Sequence, residues 1–291
     1  MEKCNLCPRK CGVDRAEKKG RCRAGINLTA ARAGLHFWEE PCISGLGGSG
    51  TIFFSGCNMG CIFCQNMPVS RGETGKEIST DRLREIFSEL IELGADNINL
   101  VTPTHFVPQI ADALSAEKLP VPVIYNTSSY EEVSTLKMLE GLVDVYLPDL
   151  KYADSELARK LSAAPDYPEK AVAAIEEMIR QTGAPVFSED GMIEKGTIVR
   201  HLVLPGFIEN TFDVTDIFSS RFSQNSLFSL MSQYTPPKKK LVYPTLNRRL
   251  TEEEYQSAVD YMYLSGINDG FLQELSSASE EYTPEFDLSG I

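Results

Sequence analysis

Hydrophobic positions in this chain follow two alternating periods from residue 51 onward. Short β-branched and aromatic runs predict strands at Thr51–Ser55, Asn97–Val101, Val121–Tyr125, Val143–Leu147, Ile198–Leu204 and Leu227–Ser232. Between them, apolar residues three and four apart predict helices. Leu83, Ile86, Phe87, Leu90 and Ile91 share one face of a segment at about 80–93, which Gly94 would stop. Val107–Leu114 carries the next stripe, Val133, Leu136 and Leu139 another, and Val172, Ile175 and Ile179 a fourth within about 169–181. Thr251 and Glu254 make a capping box ahead of a last helix with Tyr255, Ala258, Val259 and Met262 inward. Glu189-Asp190-Gly191 reads as a hairpin turn.

Strands separated by single helices imply right-handed βαβ units in a parallel sheet. Six of them predict an α/β fold, a partial (β/α)6 barrel over residues 51–275. Barrel chemistry sits at the carboxyl ends of strands, so a functional residue should follow one. Residues 1–35 lack apolar periodicity and are rich in Cys, Lys, Arg and Gly, which predicts a small metal-held module. Residues 36–50 read as a linker and 276–291 as a C-terminal tail. The glycines of Gly45–Gly50 spell G-x-G-x-x-G, but a strand follows where a dinucleotide site needs a helix, so they serve the turn into the barrel. The Phe-rich stretch Ile217–Phe228 includes Arg221 and several serines, and reads as a partly buried helix or loop rather than a membrane segment.

Composition narrows the chemistry. No apolar run reaches membrane-spanning length and no signal core is present, which predicts a cytoplasmic protein with reduced thiols. Eight cysteines in that setting suggest metal ligands before disulfides. Net charge is −13, yet residues 1–35 hold nine Lys or Arg against three acids. The acidic remainder argues against a nucleic-acid partner, and the basic end would offset the charge of nearby thiolates.

The first predicted strand runs into Gly56-Cys57-Asn58-Met59-Gly60-Cys61-Ile62-Phe63-Cys64. Three cysteines in C-x3-C-x2-C can ligate only three irons of a [4Fe-4S] cubane, leaving one iron open. That iron could chelate the amino and carboxylate groups of S-adenosylmethionine, and an electron from the cluster would break a sulfur–carbon bond to release a 5′-deoxyadenosyl radical. Zinc would want a fourth ligand nearby, and purely structural cysteines would not need glycines at 56 and 60. Cys4, Cys7, Cys11 and Cys22 form a separate C-x2-C-x3-C-x10-C set that suits a closed four-thiolate site, either zinc or an auxiliary iron–sulfur cluster. Cys42 is left over and expected to pack.

These motifs resemble the radical SAM superfamily over nearly the whole chain, and within it the proteins related to pyruvate formate-lyase activating enzyme. The resemblance implies that Cys57, Cys61 and Cys64 hold the cluster and that Phe63 packs near the adenine. Thr102-Pro103-Thr104-His105 stands where the family has a Gly-Gly-Glu turn, so Thr102 and Thr104 are the candidates there for holding the cofactor. Asn126-Thr127-Ser128 stands at the Asp-Thr-Asn position of activating enzymes, Asp149-Leu150-Lys151 matches an Asp-x-Lys motif, and Arg200 resembles a strand arginine that supports the methionine moiety. It also implies an electron donor such as flavodoxin or ferredoxin, and a glycine on a partner protein as one possible substrate. Competing assignments are a small-molecule or peptide substrate, and an iron–sulfur electron-transfer protein without S-adenosylmethionine.

Plainer roles stand beside these. Asp149 and Lys151 can simply pair, Asn126 can cap a helix, and His105 and His201 can be satisfied structural residues. Arg200 lies in an apolar strand and therefore needs a carboxylate, from protein or cofactor. Gln233 and Tyr234 follow the sixth strand and can line a cavity or pack.

Overall fold

All six sequence-predicted strands are present, joined by four more. The structure, a computed structural model, describes residues 3–277 and 284–291. Its strands are β1 (Leu28–His36), β2 (Ser49–Phe54), β3 (Lys76–Ile78), β4 (Asn97–Val101), β5 (Val123–Thr127), β6 (Val145–Pro148), β7 (Val186–Phe187), β8 (Ile193–Leu202), β9 (Leu227–Met231) and β10 (Gly270–Leu272). They form one sheet in the order β10-β9-β8-β6-β5-β4-β2-β1-β3, with β7 paired onto β8. Every neighbour from β2 to β10 along that path is parallel, while β1 pairs antiparallel with both β2 and β3. The result is an α/β fold with a mostly parallel sheet, and the Glu189-Asp190-Gly191 turn does close the β7–β8 hairpin.

Helices occur at Thr80–Glu92, Val107–Ser115, Tyr167–Thr182 and Glu252–Leu264, where periodicity predicts them, and the Thr251–Glu254 capping box is formed in both directions. The expected helix at 133–139 is one α turn followed by a 3-10 turn. Three helices are not apparent in the apolar pattern, the single turn Met67–Ser70 and two longer ones. Ser155–Ser162 is short and highly charged, held at its start by Asp154, whose carboxylate accepts from the Leu157 amide. Ile208–Arg221 buries Asn210, Thr211 and Thr215 beside Val214 and Phe218, which blurs its stripe.

Both faces of the sheet are covered. Tyr125 and Tyr146 point to the face packed by helix residues such as Ala174 and Met178, with Val199 in an adjoining cluster. The alternate residues Ile124, Val145, Leu147 and Ile198 pack instead against Cys42 and Ile43. Period-two alternation buried on both sides is what a parallel sheet requires. The covering residues come from the stretch expected to be a linker. Ile43 is fully buried, a contribution of about 2 kcal/mol, and so anchors that connection inside the molecule. Cys42 packs, as expected for the cysteine left over.

β1 carries the chain across the expected boundary at residue 35 as a strand of the main sheet. The last residues lie along it: Leu288 and Ala31 bond through backbone, as do Ala33 and Ser289, and Phe286 meets Phe53 edge-on at 5.3 Å. Among the described residues, no helix is long and apolar enough to cross a membrane.

Candidate active site

The loop after β2 places its three cysteines around one cavity of about 260 Å³. Gly56 and Gly60 both adopt positive φ, +94° and +64°, which bends the chain back on itself directly after the strand. Gly56 has a second constraint, because a Cβ there would lie 2.3 Å from the Cys22 carbonyl oxygen, the group that accepts from the Cys57 amide. Nothing lies within 4 Å of a Cβ at Gly60. Gly56→Ala should therefore cost well over 2 kcal/mol of stability and Gly60→Ala only about 1 kcal/mol, compared by denaturant unfolding under anaerobic conditions.

Burial pushes the Cys57 thiol up to about 12, and the neighbouring Cys61 and Cys64 add to the effect. Cys64 is raised for the same two reasons. Ser162 donates to the Cys61 sulfur at 3.0 Å, and Tyr152 bonds Ser162 at 2.7 Å. Among the described residues, no three His, Cys, Asp or Glu side chains converge on a single ion. A cubane does not ask for that, since each thiolate takes a different iron. Three soft sulfur donors bordering a polar cavity fit such a cluster, and its positive iron would convert these thiols to thiolates.

Strand ends supply the rest of the wall. Phe63, Thr102, Asn126, Ser128, Asp149, Lys151 and Arg200 all line the cavity, as do Gln233 and Tyr234. The rings of Phe63 and Tyr234 stand 6.2 Å apart. The Ser128 hydroxyl, buried at this wall, has no protein partner, so a ligand could take it up. Thr104 is the exception: it lies outside the cavity, and its hydroxyl donates to Glu131 at 2.6 Å. Thr102 holds a positive φ of +58°, a rare state for a β-branched residue and one that collects at ligand sites.

Glu131 also accepts from Thr127 at 2.5 Å and Tyr125 at 3.2 Å, and its second oxygen is unpartnered. Burial pushes this carboxyl up to about 7 against the pull of those three donors. A raised folded pKa stabilises the fold below the unfolded value and loses that contribution as pH rises through the folded one. Between pH 5 and 7.5 the wild type should thus lose about 2 kcal/mol relative to Glu131→Gln, measured by urea unfolding of both proteins across that range.

The central charges form one network. Arg200 donates to Asp149 at 3.0 Å, to Glu39 at 2.9 Å and to the Asn126 side-chain oxygen Oδ1 at 2.7 Å, and Lys151 donates to Asp149 at 2.6 Å. Arg200 thus finds its carboxylates within the protein, and Asn126 serves this network rather than a helix cap. Burial would raise the Asp149 carboxyl, but Lys151 and Arg200 outweigh it and hold the group below its usual range. Glu39 is raised by burial, which Arg200 only partly offsets. Sequence reasoning required a partner for Arg200 without finding Glu39, which lies in the supposed linker 161 residues away. Both buried histidines are held neutral by burial, their pKa pushed down to about 4. His201 donates to the Leu150 carbonyl and accepts from Thr211, whereas His105 donates to Ser55 and leaves Nδ1 unpaired.

The N-terminal cysteines are neighbours. A Cβ on Gly20 would sit 3.4 Å from the sulfurs of both Cys11 and Cys22. Burial raises the Cys22 thiol, with Cys4 and Cys11 contributing, and raises Cys7 to about 12 with Cys22 among the causes. This knot docks on the cluster loop: Arg9 donates to the carbonyls of Asn58 and Ser162 and lies 5.0 Å from the Tyr130 ring centre.

With that geometry in view, comparison with known proteins is decisive for the family. Residues 51–215 match the Radical SAM superfamily. The chain belongs to that superfamily. Members are oxidoreductase-type catalysts, and membership implies a [4Fe-4S] cluster and S-adenosylmethionine. Uncharacterized protein MJ0674 of Methanocaldococcus jannaschii is 31% identical over 268 residues, covering 89% of this radical SAM chain and 74% of the relative. Among solved structures, Streptococcus suis SuiB bound to its precursor peptide SuiA matches with a TM-score of 0.53 at 17% identity, over 77% of this chain and 48% of SuiB. SuiB bound to S-adenosylmethionine gives 0.50 at 18% identity, over 77% and 47%. The chain spans about half the length of SuiB, and at these identities the likeness concerns the fold alone.

Proposed function

We propose that this chain cleaves S-adenosylmethionine reductively at a cluster held by Cys57, Cys61 and Cys64, and that the resulting radical abstracts hydrogen from a substrate. One observation carries the reading: the three cysteines and the polar ends of β4, β5, β6, β8 and β9 border a single cavity. The cluster, when bound, supplies the electron that splits the sulfonium and yields a 5′-deoxyadenosyl radical. The chain's own residues do the rest. Phe63 and Tyr234 form an aromatic wall suited to an adenine, Thr102 and Ser128 offer hydroxyls, and Arg200 and Lys151 offer cations to a ligand's anionic end.

A partial barrel is part of this proposal. Five strand-to-strand steps separate β2 from β9, roughly 24 Å in a flat sheet. Phe53 of β2 and Met231 of β9 nevertheless line the same cavity, which favours a curved sheet.

For the substrate we favour a glycine residue on a partner protein, as in glycyl-radical-enzyme activating enzymes. Asp149-x-Lys151 and Arg200 at the cavity support it. A small-molecule or peptide substrate is the second reading, favoured by the Thr102–His105 turn that replaces Gly-Gly-Glu and by SuiB having been solved with a precursor peptide. A flavodoxin or ferredoxin would deliver the electron. Cys4, Cys7, Cys11 and Cys22 would hold a second, closed metal site; their mutual proximity supports it, and an auxiliary cluster suits them better than zinc, because no three of the described side chains converge on one ion. The test is anaerobic reconstitution followed by dithionite and S-adenosylmethionine. Formation of 5′-deoxyadenosine and methionine is expected; a reducible cluster without either product would instead mark an electron-transfer protein.

A further inference from the structure

Two carboxylates share the Arg200 guanidinium, and they are held very differently. Asp149 is gripped from two sides, by Lys151 at 2.6 Å and Arg200 at 3.0 Å. Glu39 has one short contact, 2.9 Å to Arg200; its other donors, the amides of Asn126 and Asn99, stand at 3.3 and 3.4 Å. Its side chain is only 11% exposed, so it has given up water for incomplete replacement. Glu40, the next residue, is buried with one carboxylate oxygen unpartnered, and its like charge repels that of Glu39. Burial accordingly disfavours the Glu39 anion, whereas the Asp149 anion is favoured.

Glu39 comes from the connection between β1 and β2, anchored beyond it by Cys42 and Ile43 and without regular structure at Glu39 itself. Its carboxylate lines the cavity beside Trp38, which is 55% exposed. A route back to water therefore lies next to it.

We infer that Glu39 is an affinity-tuning residue, a placeholder carboxylate on Arg200 that is replaced by the carboxylate at the amino-acid end of the incoming S-adenosyl cofactor. The exchange is charge-neutral: one carboxylate leaves the guanidinium as another arrives, and Asp149 with Lys151 stays in place. A nucleoside without a carboxylate does not compete for Arg200, so the placeholder weakens the binding of carboxylate-bearing ligands alone while it keeps the guanidinium paired in the empty cavity. The inference rests on the radical SAM reading and deepens it.

The probes are S-adenosylhomocysteine, which has the amino-acid end, and 5′-methylthioadenosine, which lacks it, on anaerobically reconstituted protein. Removing a competitor from the binding-competent state raises apparent affinity by the inverse of that state's population. Glu39→Gln should bind S-adenosylhomocysteine about fivefold more tightly by equilibrium dialysis, with 5′-methylthioadenosine unchanged. Glu39→Asp, too short for the 2.9 Å contact, should shift in the same direction. Trp38 is the chain's single tryptophan. In the unaltered protein its emission should respond to S-adenosylhomocysteine and not to 5′-methylthioadenosine, a result independent of any variant's folding. Equal or weaker binding by Glu39→Gln, or the same change for both nucleosides, would make Glu39 a fixed strut and overturn the exchange. If the unaltered protein neither binds S-adenosylmethionine nor forms 5′-deoxyadenosine, the radical SAM reading fails and takes the exchange with it.

Discussion

Arg200→Met should lower the unfolding free energy by about 3–5 kcal/mol, as expected when a buried charge network loses its shared cation. Asp149 and Glu39 are only 16% and 11% exposed at the side chain, so both carboxylates would lose a countercharge while largely shielded from water, and Glu39 would regain hydration only by moving out beside Trp38. Lys151 would still neutralise Asp149, but Glu39 would keep only two long amide contacts. The loss should shrink in acid. Asp149 has a depressed folded pKa, so its pairing adds stability above the unfolded value and loses it as pH falls through the folded one. Guanidinium titrations at pH 7 and at about pH 2 should therefore show a large gap between wild type and variant at the first and a smaller one at the second. Arg200→Lys should recover only part of the loss, because one ammonium cannot reach Asp149, Glu39 and Asn126 together.

Cys57→Ala should bring 5′-deoxyadenosine formation to background and lower the iron retained after anaerobic reconstitution. Two thiolates cannot hold a cubane that needs three protein ligands. Cys42→Ala is the matched control. Its thiol is buried, where Cys57 is half-buried, and packs among Ile43, Ile124 and Val145, away from the cavity. It should cost about 1–2 kcal/mol in stability and leave cofactor cleavage intact.

Much of this was legible in the residues because local chemistry determined it. The strands were short and β-rich, the glycines at 56 and 60 sat where the backbone needed positive φ, and every candidate cavity residue except Thr104 lines the cavity. The Thr102–His105 turn could not be read so far, since whether a threonine faces a ligand or a buried carboxylate depends on what packs behind it. Behind Thr104 lies Glu131, 27 residues on. The segment at 36–50 misled for a related reason. Its apolar content is sparse, yet Cys42 and Ile43 are enough to plug the open face of the sheet and bring Glu39 to Arg200. Such contacts are non-local and leave no periodic trace. β1 was hidden likewise, its alanines and glycine giving little β signal while its backbone pairs with β2 and β3.

The central claim is that one iron of the cluster held by Cys57, Cys61 and Cys64 has no protein ligand. Electron paramagnetic resonance of the reduced cluster, with and without S-adenosylmethionine, tests it most directly. The account predicts a spectrum that shifts when the cofactor is added, in the wild type and in Cys4→Ala alike. An intact cluster whose spectrum ignores S-adenosylmethionine would mean that a side chain already completes the fourth iron.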